Sequence, residues 1–340
     1  MNPRTFYAFV SPSLLLMVVF IALPLASVFV QSFQVTQQVY QQVTVETCTP
    51  GFLTQNCVQE TRSQAVLDEH GRPVVETRFV GLDNYRTLLQ PMAVAKAIGS
   101  GEFSDILSID FYKALRFTLT FTFVTLPLVL AFGLLVAVAV NTIAKRVRGP
   151  VIFVTLLPFI ITPVIGALSI RWLFVGDGIM TAALEHLMGH DIAVFANGWA
   201  IEALMMFYRV WHVTPFAFVI FYAGLQTLDI DTLESAIVDG ASRFERLRYV
   251  VVPHLRPLIV FVALIHLMDA YRVFEEVVGF SSQAYRISLQ WLTYDFLIPD
   301  NSGNRSIARA SASSMLTMIG IVILLVPLLR QAWRDHRVKR

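Results

Sequence analysis

Leu115-Arg-Phe-Thr-Leu-Thr-Phe-Thr-Phe-Val-Thr-Leu-Pro127-Leu-Val-Leu-Ala-Phe-Gly-Leu-Leu-Val-Ala-Val-Ala-Val-Asn-Thr142 carries a single charged side chain, Arg116, close to its start. Crossing a bilayer takes roughly 20 mostly apolar helical residues, because backbone N–H and C=O groups must be satisfied inside the segment. This stretch meets that requirement, and five others do as well: residues 6–33, 151–174, 199–225, 258–280 and 310–329. The expected fold is all-α, a polytopic membrane protein with six transmembrane helices. Pro12, Pro24, Pro127, Pro158, Pro163 and Pro215 fall inside these spans. Neighbouring helices in a bundle can satisfy the carbonyls that such prolines set free.

Composition supports the same class. Of 340 residues, 56% are hydrophobic and 15% charged, with a net charge of +2, which argues against a soluble globular chain and against a nucleic-acid binder. Lys and Arg cluster after the second span (Lys145, Arg146, Arg148), after the fourth (Arg243, Arg246, Arg248, Arg256) and at the end (Arg330, Arg334, Arg337, Lys339, Arg340). Positive short loops stay in the cytoplasm, so both termini are expected inside and the long 34–112 segment outside, as a periplasmic loop. The expected organisation is a first helix at 1–33, the periplasmic loop at 34–112, a core of five helices at 113–330 with a cytoplasmic loop at 228–257, and a basic tail at 331–340. The first helix is read as a retained span, since its apolar run is too long for a signal-peptide core.

Cys48 and Cys57 are the only cysteines. They cannot build a zinc cluster alone, and the seven histidines lack metal-ligand spacing, so no metal site is expected. A disulfide between them is open if their loop faces an oxidising compartment; two free thiols are the other reading.

The most informative loop follows the fourth span: Leu225-Gln-Thr-Leu-Asp-Ile-Asp-Thr-Leu-Glu234-Ser-Ala-Ile-Val-Asp239-Gly240-Ala-Ser-Arg-Phe-Glu-Arg-Leu-Arg-Tyr-Val-Val-Val-Pro253-His-Leu-Arg-Pro257. The pattern predicts a short helix capped by Thr232, with Leu233, Ala236 and Ile237 on one face and Gly240 at its end. Ser242 is expected to cap a second short helix with Phe244, Leu247 and Val251 on one face. Pro253 is expected to hold the residue before it out of helix.

This segment resembles the EAA loop of ABC importer permeases of the carbohydrate-uptake type, with Ser235 where Ala is usual. The resemblance implies a coupling helix seated in a cleft of a separate ATPase, with Glu234, Ser235, Ala236, Asp239, Gly240 and Ala241 as the docking residues. Phe79-Val-Gly-Leu-Asp-Asn-Tyr85 and the Gln31-Ser-Phe33 end of the first span resemble the maltose-type first permease subunit. Trp211-His-Val-Thr-Pro215-Phe216 resembles the family's Trp-x-x-x-Pro-aromatic stretch. After the fifth span the family commonly carries Thr-Gly-Gly-Gly-Pro, whereas this chain reads Val277-Val-Gly-Phe-Ser-Ser-Gln-Ala-Tyr285.

The resemblance further implies a multi-pass protein of the bacterial inner membrane, in contact with lipid, and a set of partners: a second permease, two ATPase copies that hold the ATP and Mg, and a periplasmic solute-binding protein. By the same resemblance, sugar contacts fall on Trp211, His212, Val213 and Phe216 and on Ile265, Met268, Asp269 and Arg272. The residues themselves admit two readings. Trp211 and Phe216 can stack on a sugar ring or pack, and Asp269 and Arg272 can meet hydroxyls or form a pair that fixes packing. His266, Asp269 and Arg272 are expected along one helical face, and Arg209, Glu275 and Glu276 near the membrane interfaces.

The chain lacks Gly-x-x-x-x-Gly-Lys-Ser/Thr, so it is read as a transport subunit and not an enzyme, with energy supplied by another polypeptide. An ion-coupled secondary transporter is the rival. It would normally show hydropathy repeats, which are not evident, and it gives no reason for the 228–257 loop.

Overall fold

The computed structural model describes residues 3–50, 55–69, 71, 74–176, 178–191, 193–299 and 305–338. Among the described residues five helices are long and apolar enough to span a membrane: Phe6–Gln31, Asp110–Thr142, Gly198–Leu225, Arg243–Tyr271 and Ile307–Gln331. A bent pair, Lys145–Ile160 and Pro163–Phe174, with 92° between its halves, makes a sixth when counted as one span. The spans are numbered one to six in chain order, with this pair as span three.

The break in span three sits where two extended residues, Ile161 and Thr162, precede Pro163. Proline pushes the residue before it towards extended backbone and cannot donate, so carbonyls are freed there. Span four supplies donors. Tyr208 Oη donates to the Pro163 carbonyl at 2.8 Å, and His212 Nε2 lies 2.9 Å from the Ile161 carbonyl. Span four therefore meets carbonyls on both sides of this break.

Two other prolines behave differently. Pro24 and Pro253 each lie in the first turn of an α-segment that continues directly from a π-helical turn, Val18–Ala22 and Leu247–Val251. The residues before them stay helical, Leu23 at φ −65°, ψ −49° and Val252 at φ −63°, ψ −44°. The expectation that Pro253 holds Val252 out of helix is thus corrected. A π turn inserts an extra residue into the hydrogen-bond register, which accommodates the missing N–H and the ring without breaking the helix. The second short helix of the loop is consequently the first turn of span five. Span five ends at Tyr271, before the expected 280; residues 272–274 leave the helix, and a separate short helix, Glu275–Gly279, follows. Span six continues as helix to Val338, so most of the expected basic tail is helical; Lys339 and Arg340 lie outside the described residues.

The chain forms two compact units, Met1–Pro91 with Thr293–Leu316, and Met92–Leu292 with Thr317–Arg340. The first holds span one and two two-stranded antiparallel sheets, a β element that the hydropathy reading leaves as loop. Strand β1 (Gln34–Gln38) pairs with β4 (Val75–Phe79), and β2 (Tyr40–Pro50) pairs with β3 (Gln55–Ala65). The two stretches Gln31-Ser-Phe33 and Phe79–Tyr85 meet here. Asn84 Nδ2 donates to the carbonyls of Ser32 (2.9 Å) and Gln34 (3.1 Å), and Tyr85 Oη donates to Ser32 Oγ at 2.7 Å.

The second unit is the helical core. Spans two and four pack so closely that a Cβ on Gly133 would lie 2.5 Å from the Ala217 Cβ, the small-on-small contact by which helices associate where no hydrophobic effect separates them from lipid. Phe117, Phe121, Met205, Tyr208, Val277 and Phe280 fill one half of the core, and Val129, Phe218, Phe221, Leu255 and Val262 the other. Thr122 and Thr125 are buried in span two and donate to the carbonyls four residues back, so their hydroxyls carry no unmet donor into the apolar interior.

Candidate coupling loop and solute pathway

The helix after span four is Ile230–Val238. Asp229 caps it, its carboxylate accepting from the Asp231 N–H at 3.1 Å, so the expected cap Thr232 lies inside the first turn instead. Asp229 and Thr232 are both good cap residues, and the chain turn directly after span four brings the earlier one into place. The far end follows expectation. Gly240 stands at φ +80°, its N–H donates to the Ile237 carbonyl (3.0 Å), and the Ala241 N–H donates to the Ala236 carbonyl (2.9 Å). That pair of bonds is a Schellman ending, and the left-handed residue it needs is cheap only for glycine. Ser242 then caps the next helix through a capping box with Glu245.

Leu233 packs against the core, and Ala236 is half-buried, which fixes the orientation of this helix. Glu234, Ser235, Ile237, Val238, Asp239 and Gly240 are exposed, and so is Phe244 in the next turn; Ile237 and Phe244 therefore do not join the inner faces expected for them. Asp231, Glu234, Ser235, Val238 and Asp239 line one open depression. The loop thus shows an acidic rim beside bare aliphatic side chains. His254 Nε2 lies 3.1 Å from Thr227 Oγ1 and 3.3 Å from the Gly224 carbonyl, tying the base of the loop to both helices that carry it.

The candidate solute residues separate by face. On span five, Ile265, Met268 and Asp269 are all exposed, an i, i+3, i+4 stripe on one side of the helix, and Arg272, one residue past its end, is exposed as well. His266 is not on that stripe. It is buried, with Nε2 3.1 Å from Thr125 Oγ1. On span four, Trp211 lines an apolar cleft of about 650 Å3 with Leu128, Phe132, Pro158 and Phe207. His212 faces the break in span three, Phe216 stacks on Phe159 at 5.9 Å, and Val213 is buried in the core. Phe159 lies against both His212 (6.1 Å) and Phe216, and Tyr208 against both Trp211 (6.2 Å) and His212 (5.5 Å), so the three side chains belong to one aromatic cluster.

Arg209 is the residue the sequence reading undervalued. Its side chain is 4% exposed, and it donates through Nη1 to Glu276 Oε1 at 2.9 Å and through Nη2 to Asp269 Oδ2. Glu276 is fully buried, while Asp269 is 65% exposed. Asp269 thus pairs with Arg209 of span four rather than with Arg272 just past the end of its own helix. One guanidinium anchors a permanent inner bond and an outer one that reaches the exposed stripe.

A second charged group lies seven positions back along span four. Glu202, buried, accepts on Oε2 from Arg286 Nε (2.6 Å) and Arg116 Nη2 (3.1 Å), and both guanidiniums lie about 5 Å from the Trp199 ring. This clamp joins spans two and four to the 281–288 segment. The signal that could have found both clusters was available: Glu202 and Arg209 are ionisable groups inside an apolar span, and such groups nearly always pair. Among the described residues no group of His, Cys, Asp or Glu could hold a metal ion.

These features can be set beside known proteins. A probable ABC transporter permease protein, y4oQ, of Sinorhizobium fredii is 28% identical over 276 residues, covering 79% of this chain and 87% of its own. The trehalose transport system permease protein SugA of Mycobacterium tuberculosis is 30% identical over 227 residues, 65% of this chain and 66% of its own. The sn-glycerol-3-phosphate transport system permease protein UgpA of Escherichia coli O157:H7 is 26% identical over 257 residues, 74% and 79% of the two chains. Among solved structures, a chain of a bacterial ABC transporter involved in import of the acidic polysaccharide alginate shares the fold, with a TM-score of 0.69 at 17% identity over 97% of this chain and 96% of that one. A family profile matches residues 110–340, the stretch that runs from the start of span two through the capped loop to the end. The protein belongs to the family of binding-protein-dependent transport system inner membrane components.

Proposed function

We propose that the chain is one of two permease subunits of an ATP-driven importer for a sugar, glycoside or polyol, and that residues 228–257 dock it on a separate ATPase. The observation that carries this reading is the Ile230–Val238 helix, which is stopped at both ends by specific caps and held by Leu233 while Glu234, Ile237, Val238 and Asp239 stay exposed. Aliphatic side chains left bare on a fixed helix, beside carboxylates, suit a partner cleft with apolar walls and basic residues. The ATPase, present in two copies, would hold ATP and Mg. The loop and both termini would be cytoplasmic, residues 34–112 periplasmic, and a binding protein would deliver solute from that side.

The solute would pass along the exposed stripe of span five. Asp269, presented there by Arg209, would accept hydroxyl hydrogen bonds, and Arg272 would donate them. SugA and UgpA, by their names, serve trehalose and a phosphorylated polyol, and they support the carbohydrate class. The test is purification of the tagged chain in mild detergent with and without Glu234→Lys. An ATPase that travels with the native chain and is lost from the variant, at equal membrane insertion, is the expected result; equal retention on both contradicts the docking role.

A further inference from the structure

Strands β2 and β3 form an antiparallel ribbon of matched 11-residue strands, in register from Tyr40 opposite Ala65 to Pro50 opposite Gln55. No third strand joins it among the described residues. The register pairs Val43 with Arg62, Val45 with Glu60 and Val58 with Thr47, which sets the three valines at positions of one face, each opposite a polar residue. A two-stranded ribbon on its own is marginal in water. A slip of two residues would keep those valines on their face, so they do not fix the register by themselves. Something else has to hold this pairing.

The same register sets Cys48 directly opposite Cys57, two pairs in from the end of the ribbon. They are the only cysteines in the chain. Directly opposed residues in an antiparallel pair share a face, with Cα atoms about 4.5 to 5.5 Å apart. Disulfides need Cα atoms about 4.4 to 6.8 Å apart, so either kind of opposed pair meets the requirement. A slip of one residue would put the two on opposite faces. The register that the ribbon adopts is therefore one in which its two cysteines can be joined, and joining them would forbid slippage.

We propose that Cys48 and Cys57 form a cross-strand disulfide that locks the ribbon's register. This rests on the reading above that residues 34–112 lie outside the cytoplasm, where disulfides persist. The two thiols lose two protons and two electrons to a disulfide-bearing oxidoreductase of that compartment, whose own disulfide becomes a dithiol as the new S–S bond forms.

Membranes quenched in acid, then denatured and treated with N-ethylmaleimide with or without prior reduction, report the state of both thiols by mass spectrometry of the full chain. The expected result is no adduct before reduction and two after it, with Cys57→Ser taking one adduct without reduction and the native chain running as a monomer on a non-reducing gel. Two adducts without reduction, or a reducible dimer, would overturn the proposal. A membrane-impermeant maleimide applied to reduced, right-side-out vesicles separates the two premises. Labelling from outside when the thiols were free at the start leaves the loop's placement intact and removes the disulfide. Absence of labelling removes the placement, and the proposal with it.

Discussion

The Arg209 guanidinium and the Glu276 carboxylate meet at 2.9 Å, both side chains closed to solvent, and join span four to the short helix that follows span five. Asp269 takes the other end of the same guanidinium from an exposed position. A buried ion pair gains little over an apolar one, but removing one partner strands the other charge. The pair is therefore a lock on geometry more than a source of stability, and it sets where Asp269 points.

Arg209→Met should destabilise the fold by about 3 to 5 kcal/mol, since it leaves Glu276 buried and unpaired. Adding Glu276→Gln should recover part of that loss, because the stranded group is then neutral. Thermal unfolding in detergent of the native chain, both single variants and the double variant gives the coupling directly. Additive losses would show that the two residues do not act as a pair.

Asp269→Ala removes only the exposed arm, so the fold should hold. Uptake should then need a higher solute concentration for half-saturation while maximal ATP-dependent transport is retained. Unchanged uptake kinetics would place Asp269 among residues that only fix packing.

Gly240 stands at φ +80° with open space around it, so backbone strain alone decides what it tolerates. Gly240→Val should cost about 1 to 2 kcal/mol in the turn and loosen the docking helix, whereas Gly240→Asn should be nearly neutral. Uptake per inserted chain should fall for the first and hold for the second; equal uptake by both would mean the turn does not matter to coupling.

Asn84→Ala strips two donors from the Ser32 and Gln34 carbonyls, a loss of about 1 to 3 kcal/mol per buried group left unmet. Limited proteolysis should cut the variant faster between span one and Leu89 than the native chain. Equal cutting rates would show that the clip is not what secures this region.

What the sequence made legible was local. Gly240 and Ser242 are read correctly because a helix end and a helix start depend on a few adjacent residues. Six spans follow from hydropathy, although the third needs its 92° bend counted as one crossing. Pro253 misled because the rule for the residue before proline assumes an α register, and a π turn replaces it. The pairing of Arg209 was not legible because its partners lie 60 and 67 positions away, beyond any local pattern. The clip between Ser32 and Asn84 shows the same limit: both stretches were noticed, but nothing in either says they touch.

The account stands most directly on whether the 228–257 loop is the contact to an energy-supplying subunit. The decisive measurement is solute uptake by cells carrying the native chain or Glu234→Lys at matched membrane levels, with and without an uncoupler, alongside mass spectrometry of what co-purifies. The account predicts uptake that survives the uncoupler while ATP is maintained, is abolished by Glu234→Lys, and parallels loss of an ATPase from the purified complex. Uptake that collapses with the uncoupler, is indifferent to Glu234→Lys and needs no companion ATPase would contradict it and identify an ion-coupled transporter instead.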